Sequence, residues 1–143
     1  MNFNIMNFNI KDLIITIIVY LIVDIPWLLY GAKSLNVDYN RHVANIQGSP
    51  LKAKMGTALI TYVMIALCIY YFGIKNNIKS SLQKKLIDAL MLALAIYGSF
   101  DLINYALFDK LPLHIALADM LWGLTSVTLT ILITTHILNK HST

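Results

Sequence analysis

The 143-residue chain is 58% hydrophobic and 13% charged, where an ordinary soluble domain carries about 25% charged residues. Lys and Arg number 11 against 7 acids, a formal charge of +4, and every acid is an aspartate. The composition excludes a water-soluble domain and describes one small integral, multi-pass membrane domain whose first partner is the lipid bilayer. The basic excess is spread through the loops, where it meets anionic headgroups. It forms no nucleic-acid patch, and the single Cys68 excludes an internal disulfide.

The first ten residues form an N-terminal tail in which Met1-Asn2-Phe3-Asn4-Ile5 is repeated as Met6-Asn7-Phe8-Asn9-Ile10. A transmembrane domain over 11–138 follows, with apolar segments at about 13–30, 55–74, 86–108 and 112–138, and 139–143 form a C-terminal tail. Each segment approaches the ~20 residues that span a bilayer core. Only helices satisfy their own backbone there. The fold class is therefore all-α, an integral membrane four-helix bundle. No A-x-A cleavage site follows the first segment, which is expected to stay attached as a membrane helix. Pro26 lies inside it and predicts a kink, with the Ile22 carbonyl freed.

The first loop, 31–54, is long and polar, and Gly48-Ser49-Pro50 marks a turn. Leu35, Tyr39, Val43 and Ile46 recur in it at helical spacing. They describe either a short interfacial amphipathic helix or a plain solvated loop. The second connection, 75–85, holds Lys75, Lys79, Lys84 and Lys85. The third, Asp109-Lys110-Leu111, is a tight hairpin that makes the third and fourth helices antiparallel neighbours, and Pro112 opens the last helix. Six basic residues on one side of the membrane against five on the other leave orientation unbiased.

Depth along the helices is the most informative quantity. Asp24 lies seven residues before Gly31, Asp101 seven before Phe108, and Asp119 seven after Pro112. Thr61 lies seven beyond Lys54. At 1.5 Å per residue, all four sit ~10 Å below the face that carries the first and third loops. Intramembrane carboxylates cost roughly 2.5–3.5 kcal/mol at a helix centre and mark functional interiors. Asp24 pairs with Trp27, Asp101 with Asn104, and Asp119 with Trp122, each three residues apart on one helix face. Tyr97 and Tyr105 flank Asp101 at four residues on either side, and His114 lies near the mouth. The candidate ligand-binding site is thus Asp24, Trp27, Thr61, Tyr97, Asp101, Asn104, Tyr105, Asp119 and Trp122.

Blander roles stand beside this one. The aspartates could be interhelical glue, since such hydrogen bonds average ~0.6 kcal/mol in membranes. Trp27, near a helix end, could belong to an interfacial aromatic belt. The hydroxyls of Thr125, Ser126, Thr128, Thr130, Thr134 and Thr135 commonly bond their own helix. His136 and His141 read as surface residues. A carboxylate-rich set with His114 would suit a hard cation, yet no ligand spacing marks a metal site. No phosphate loop, H-E-x-x-H, G-x-S-x-G or C-x-x-C pair is present, and no cofactor is expected.

With these residues in hand, the chain resembles the multi-pass membrane proteins grouped as domain of unknown function 2177. The matching elements are Asp24-Ile-Pro-Trp27-Leu28, Tyr39, Tyr97, Ser99-Phe-Asp101-Leu-Ile-Asn104, Leu111-Pro112-Leu113 and Asp119-Met-Leu-Trp122-Gly123. They span roughly 15–130 in the same order and spacing. Ile103 stands where members usually show Thr, and Leu111 where they often carry Trp. Both changes thin the polar or aromatic mouth. The resemblance implies four helices and a shared polar centre, and it supplies no activity.

The function expected from these residues is binding or translocation of a proton, cation or small polar solute. The alternatives are an intramembrane enzyme using an aspartate as acid or base on a lipid-like substrate, and a scaffold whose polar layer fixes packing. Four helices are few for a self-sufficient transporter, which points to a homodimer.

Overall fold

A computed structural model describes residues 8–140. Most of the repeated N-terminal pentapeptide, and His141 with the last residues of the tail, fall outside the described residues. Four helices are long and apolar enough to cross a membrane: α1 (Ile10–Ser34), α3 (Met55–Ile74), α4 (Leu82–Leu107) and α5 (Leu113–Lys140). A shorter helix, α2 (Tyr39–Gln47), lies in the first loop. The all-α, four-helix reading of the sequence holds, and the first loop carries a helix rather than plain coil.

Local chemistry sets the helix ends. The Asn9 side chain accepts from the Lys11 N–H at 3.0 Å and opens α1, Asp38 caps α2 through Arg41 N–H, and Ser81 caps α4 through Lys84 N–H. Each supplies an acceptor to a first-turn donor that has no partner within its own helix. Gly48, at φ 75°, ends α2 in the left-handed region that glycine enters without strain. The disturbance expected at Pro26 takes the form of a π-helical turn over Trp27–Gly31. Trp27 N–H turns to the Asp24 carbonyl. Further π-helical turns occupy Ile69–Ile74 and Leu94–Gly98.

Helix α5 is the axis of the bundle. It packs against α1, α2, α3 and α4 and is the most buried of the four spans. Outward faces are apolar: Ile14, Ile18, Ile22 and Ile25 on α1, and Leu59, Ile60, Val63 and Met64 on α3, are all exposed. Such continuous apolar surface suits hydrocarbon and would be a liability in water.

The interior divides into two halves. Toward the second loop, Tyr70, Ile69, Ile74, Val127 and Ile131 form a closed apolar core. That end is fastened by buried Asn77, which donates to the Gly73 carbonyl at 3.2 Å and to Asp88 at 2.5 Å. Lys84 holds the same Asp88 oxygen at 2.6 Å. Toward the first and third loops the interior is aromatic and polar. Buried Gly123 packs directly against the Tyr97 ring, and a methyl there would overlap the ring.

Gly123→Ala is therefore expected to destabilise the protein by roughly 1–3 kcal/mol through overpacking. Gly56→Ala, which meets open space, should be neutral. Thermal unfolding of both variants in detergent checks the contrast; equal midpoints would contradict the Tyr97 packing.

Candidate functional site

The site is built from α1 outward. Tyr20 and Asp24 are four residues apart on α1, both buried, and face α3 and α5. Asp24 is fully provided for. Tyr62 on α3 donates its hydroxyl to Oδ2 at 2.6 Å, and Trp122 on α5 donates Nε1–H to Oδ1 at 2.9 Å. Two donors from two helices satisfy both oxygens, and hydrogen bonds to a charged group are worth about 1.5–3 kcal/mol each. Trp122 is itself held by Trp27, whose ring stacks on it with centroids 4.6 Å apart and planes 10° from parallel. Gly31 leaves room for that ring, since a Cβ there would come within 2.6 Å of Trp27 Cε3. The Tyr20 and Tyr97 hydroxyls meet in a short hydrogen bond across α1 and α4.

Asp101 is the opposite case. It is 0% exposed, and among the described residues its carboxyl meets no hydrogen-bonding group other than the carboxyl of Asp119. Asp119 on α5 is its electrostatic neighbour and stands within reach of Asp24 as well. Among the described residues, no Lys, Arg or His acts on either member of the pair.

Tyr39 closes the picture from outside the membrane-spanning helices. Its ring leans against Phe100, with centroids 6.1 Å apart. Its hydroxyl is pushed up to about 12, first by burial, then by the carboxyls of Asp101 and Asp119, with the Asn104 side chain acting the other way. Tyr39 on α2, Asn104 and Asp101 on α4, and Asp119 on α5 therefore share one location.

The structure brings together Asp24, Trp27, Tyr97, Asp101, Asn104, Asp119 and Trp122. It does not bring in Thr61, which is exposed and donates to its own-helix Thr57 carbonyl at 3.0 Å. Tyr105 is 41% exposed and faces outward. Tyr62 takes the place expected of Thr61. Tyr20 and Tyr62 escaped the sequence reading, although Tyr20 stands one helical turn before Asp24 and Tyr62 adjoins the residue chosen by depth. The α5 hydroxyls bond their own helix as expected: Thr125 to Leu121, Thr130 to Ser126 and Thr135 to Leu132. Thr134 Oγ1 is buried without a partner among the described residues. Among those residues, no group of three or more His, Cys, Asp or Glu is arranged to hold a metal ion.

Comparison with protein families matches residues 9–136 to the family described as predicted membrane protein, domain of unknown function 2177. The chain belongs to this family. No curated protein and no solved structure matches it. Membership agrees with the four spans, and the molecule is a multi-pass membrane protein. In this family member, the polar centre implied by the resemblance resolves into one carboxyl held by two donors, Asp24, and a pair of carboxyls facing each other, Asp101 and Asp119.

A raised Tyr39 hydroxyl has a direct pH consequence. The docked form keeps its proton up to about 12, while an undocked tyrosine ionises near 10. Docking is then unaffected below pH 10 and weakens as pH rises between those values, because the undocked state loses its proton first. The protection of α2 amides relative to their intrinsic, base-catalysed exchange rate should fall over that window, and Tyr39→Phe should remove that fall. An α2 whose exchange follows the same pH course in both proteins would contradict the placement.

Proposed function

We propose that this membrane protein binds, and carries through its interior, a proton, cation or small polar solute at the Asp101–Asp119 pair. The observation supporting this most strongly is a buried Asp101 carboxyl that, among the described residues, faces only a second carboxyl, Asp119. A buried polar group left unsatisfied costs about 1–3 kcal/mol, and more when charged. A purely structural layer would have no reason to retain that cost, and replacement by an apolar residue would remove it. Val127, Ile131 and Ile69 belong to the apolar core of the opposite half, so a ligand would enter from the face of the first and third loops.

Asp24 favours a second role within the same layer. With Tyr62 and Trp122 occupying both of its oxygens, it ties three helices and positions α5, so that Asp119 is presented to Asp101. Glue and ligand site then coexist, carried by different aspartates.

Liposome flux measurements on Asn variants separate these roles. Asp101→Asn and Asp119→Asn should each abolish flux while the protein inserts and stays monodisperse in detergent. The double variant should be no worse than either single one, because residues acting as a unit are non-additive. Asp24→Asn should instead lower thermal stability and leave measurable flux. Full flux in Asp101→Asn would move the reading to a scaffold.

A further inference from the structure

The pair has more oxygen around it than a proton can use. A shared proton needs only one oxygen from each carboxyl. Here Asp101 contributes two buried oxygens whose one partner among the described residues is the Asp119 carboxyl, and two neutral groups from separate elements, Asn104 on α4 and Tyr39 on α2, stand beside them. Asn104 follows Asp101 by three residues, which keeps both on one helix face.

We infer that Asp101, Asp119, Asn104 and Tyr39 form a site for one dehydrated monovalent cation of the sodium class. The inference rests on the binding role proposed above for the same pair and names its ligand. Carboxylate, amide and phenol oxygens are hard donors and select hard cations over zinc or copper. Divalent hard ions are less well matched: calcium takes six to eight oxygens and magnesium keeps several waters in a strict octahedron. No third acidic or histidine ligand joins the pair among the described residues. Two carboxyls with two neutral oxygens suit an ion of lower charge. Among the described residues no cationic side chain acts on Asp101 or Asp119, so the positive charge that two facing carboxyls call for is left to the ligand. Tyr39 reaches the site from the first loop. It is the one ligand that can be withdrawn without moving a membrane-spanning helix.

The chain contains only two tryptophans, and they are the stacked pair Trp27 and Trp122. Trp122 is hydrogen-bonded to Asp24, and Asp24 in turn acts on Asp119. Tryptophan fluorescence, excited on the red edge where tyrosine does not absorb, therefore reports on this layer. The test is a sodium chloride titration of the purified protein at fixed pH, balanced with choline chloride, with lithium, potassium, calcium and acid as separate arms. A saturable fluorescence change with sodium is expected. It should be lost in Asp101→Asn, and its half-saturation should rise about tenfold or more in Tyr39→Phe, the scale on which removal of an interaction tunes ion sites. Tyr39→Phe keeps the ring on Phe100 and lies outside the spanning helices, so it serves if Asp101→Asn fails to fold. No response to any alkali cation, with a response to acid, would overturn the cation assignment and leave the proton form of the binding role standing. Silence in every arm would overturn both. A response to calcium alone, or an unaltered sodium response in Asp101→Asn, would overturn this site.

Discussion

A carboxyl group inside hydrocarbon must be given donors, and the way Asp24 obtains them organises the whole bundle. Its partners sit on α3 and α5, so satisfying one side chain fixes the spacing and rotation of three helices. The Trp27–Trp122 stack then closes over the same junction. Tyr97 completes it by lying on Gly123 and meeting the Tyr20 hydroxyl. Apolar packing has little power to choose one arrangement in lipid, because the lipid is as apolar as the side chains. The polar junction supplies that choice, and the apolar core of the opposite half follows from it.

Three aspartates at one depth thus have different fates. Asp24 has both oxygens occupied. Asp101 is wholly buried and, among the described residues, meets only the carboxyl of Asp119, which stands within electrostatic reach of Asp24 as well. Stabilisation accumulated at Asp24 lets the bundle tolerate an incompletely satisfied pair beside it. On the proposed reading, one layer serves as packing glue at Asp24 and as a ligand site at Asp101 and Asp119.

Counting along the chain located the layer because helical rise is nearly invariant in a span: depth follows from residue number alone. Rotation is less legible. One residue turns a helix face by about 100°, which is the difference between Thr61, turned outward onto its own carbonyl, and Tyr62, turned inward onto Asp24. Tyr97 and Tyr105 are equally spaced from Asp101, yet only Tyr97 enters the site. The π-helical turn over Leu94–Gly98 places an added residue in the helix beside Tyr97 and resets its phase. Tyr105 lies in the last turn before the hairpin, where the helix leaves the packed interior. Nothing in a periodicity of 3.6 announces such a turn. The donors to Asp24 were equally hidden, since they come from two other helices and depend on azimuth. The Asp–Trp spacing in α1 and α4's Asp–Asn spacing, in contrast, are local features and needed only the sequence.

The central claim is that Asp24 is closed and the Asp101–Asp119 pair is open to a ligand. A density map of the protein in a lipid nanodisc, resolved well enough to place side-chain oxygens, tests it most directly. The account predicts Asp24 held by Tyr62 and Trp122 alone, and a non-protein feature between Asp101 and Asp119 within reach of Asn104 and Tyr39. Asp101 turned toward lipid, or both of its oxygens occupied by protein donors, would contradict it.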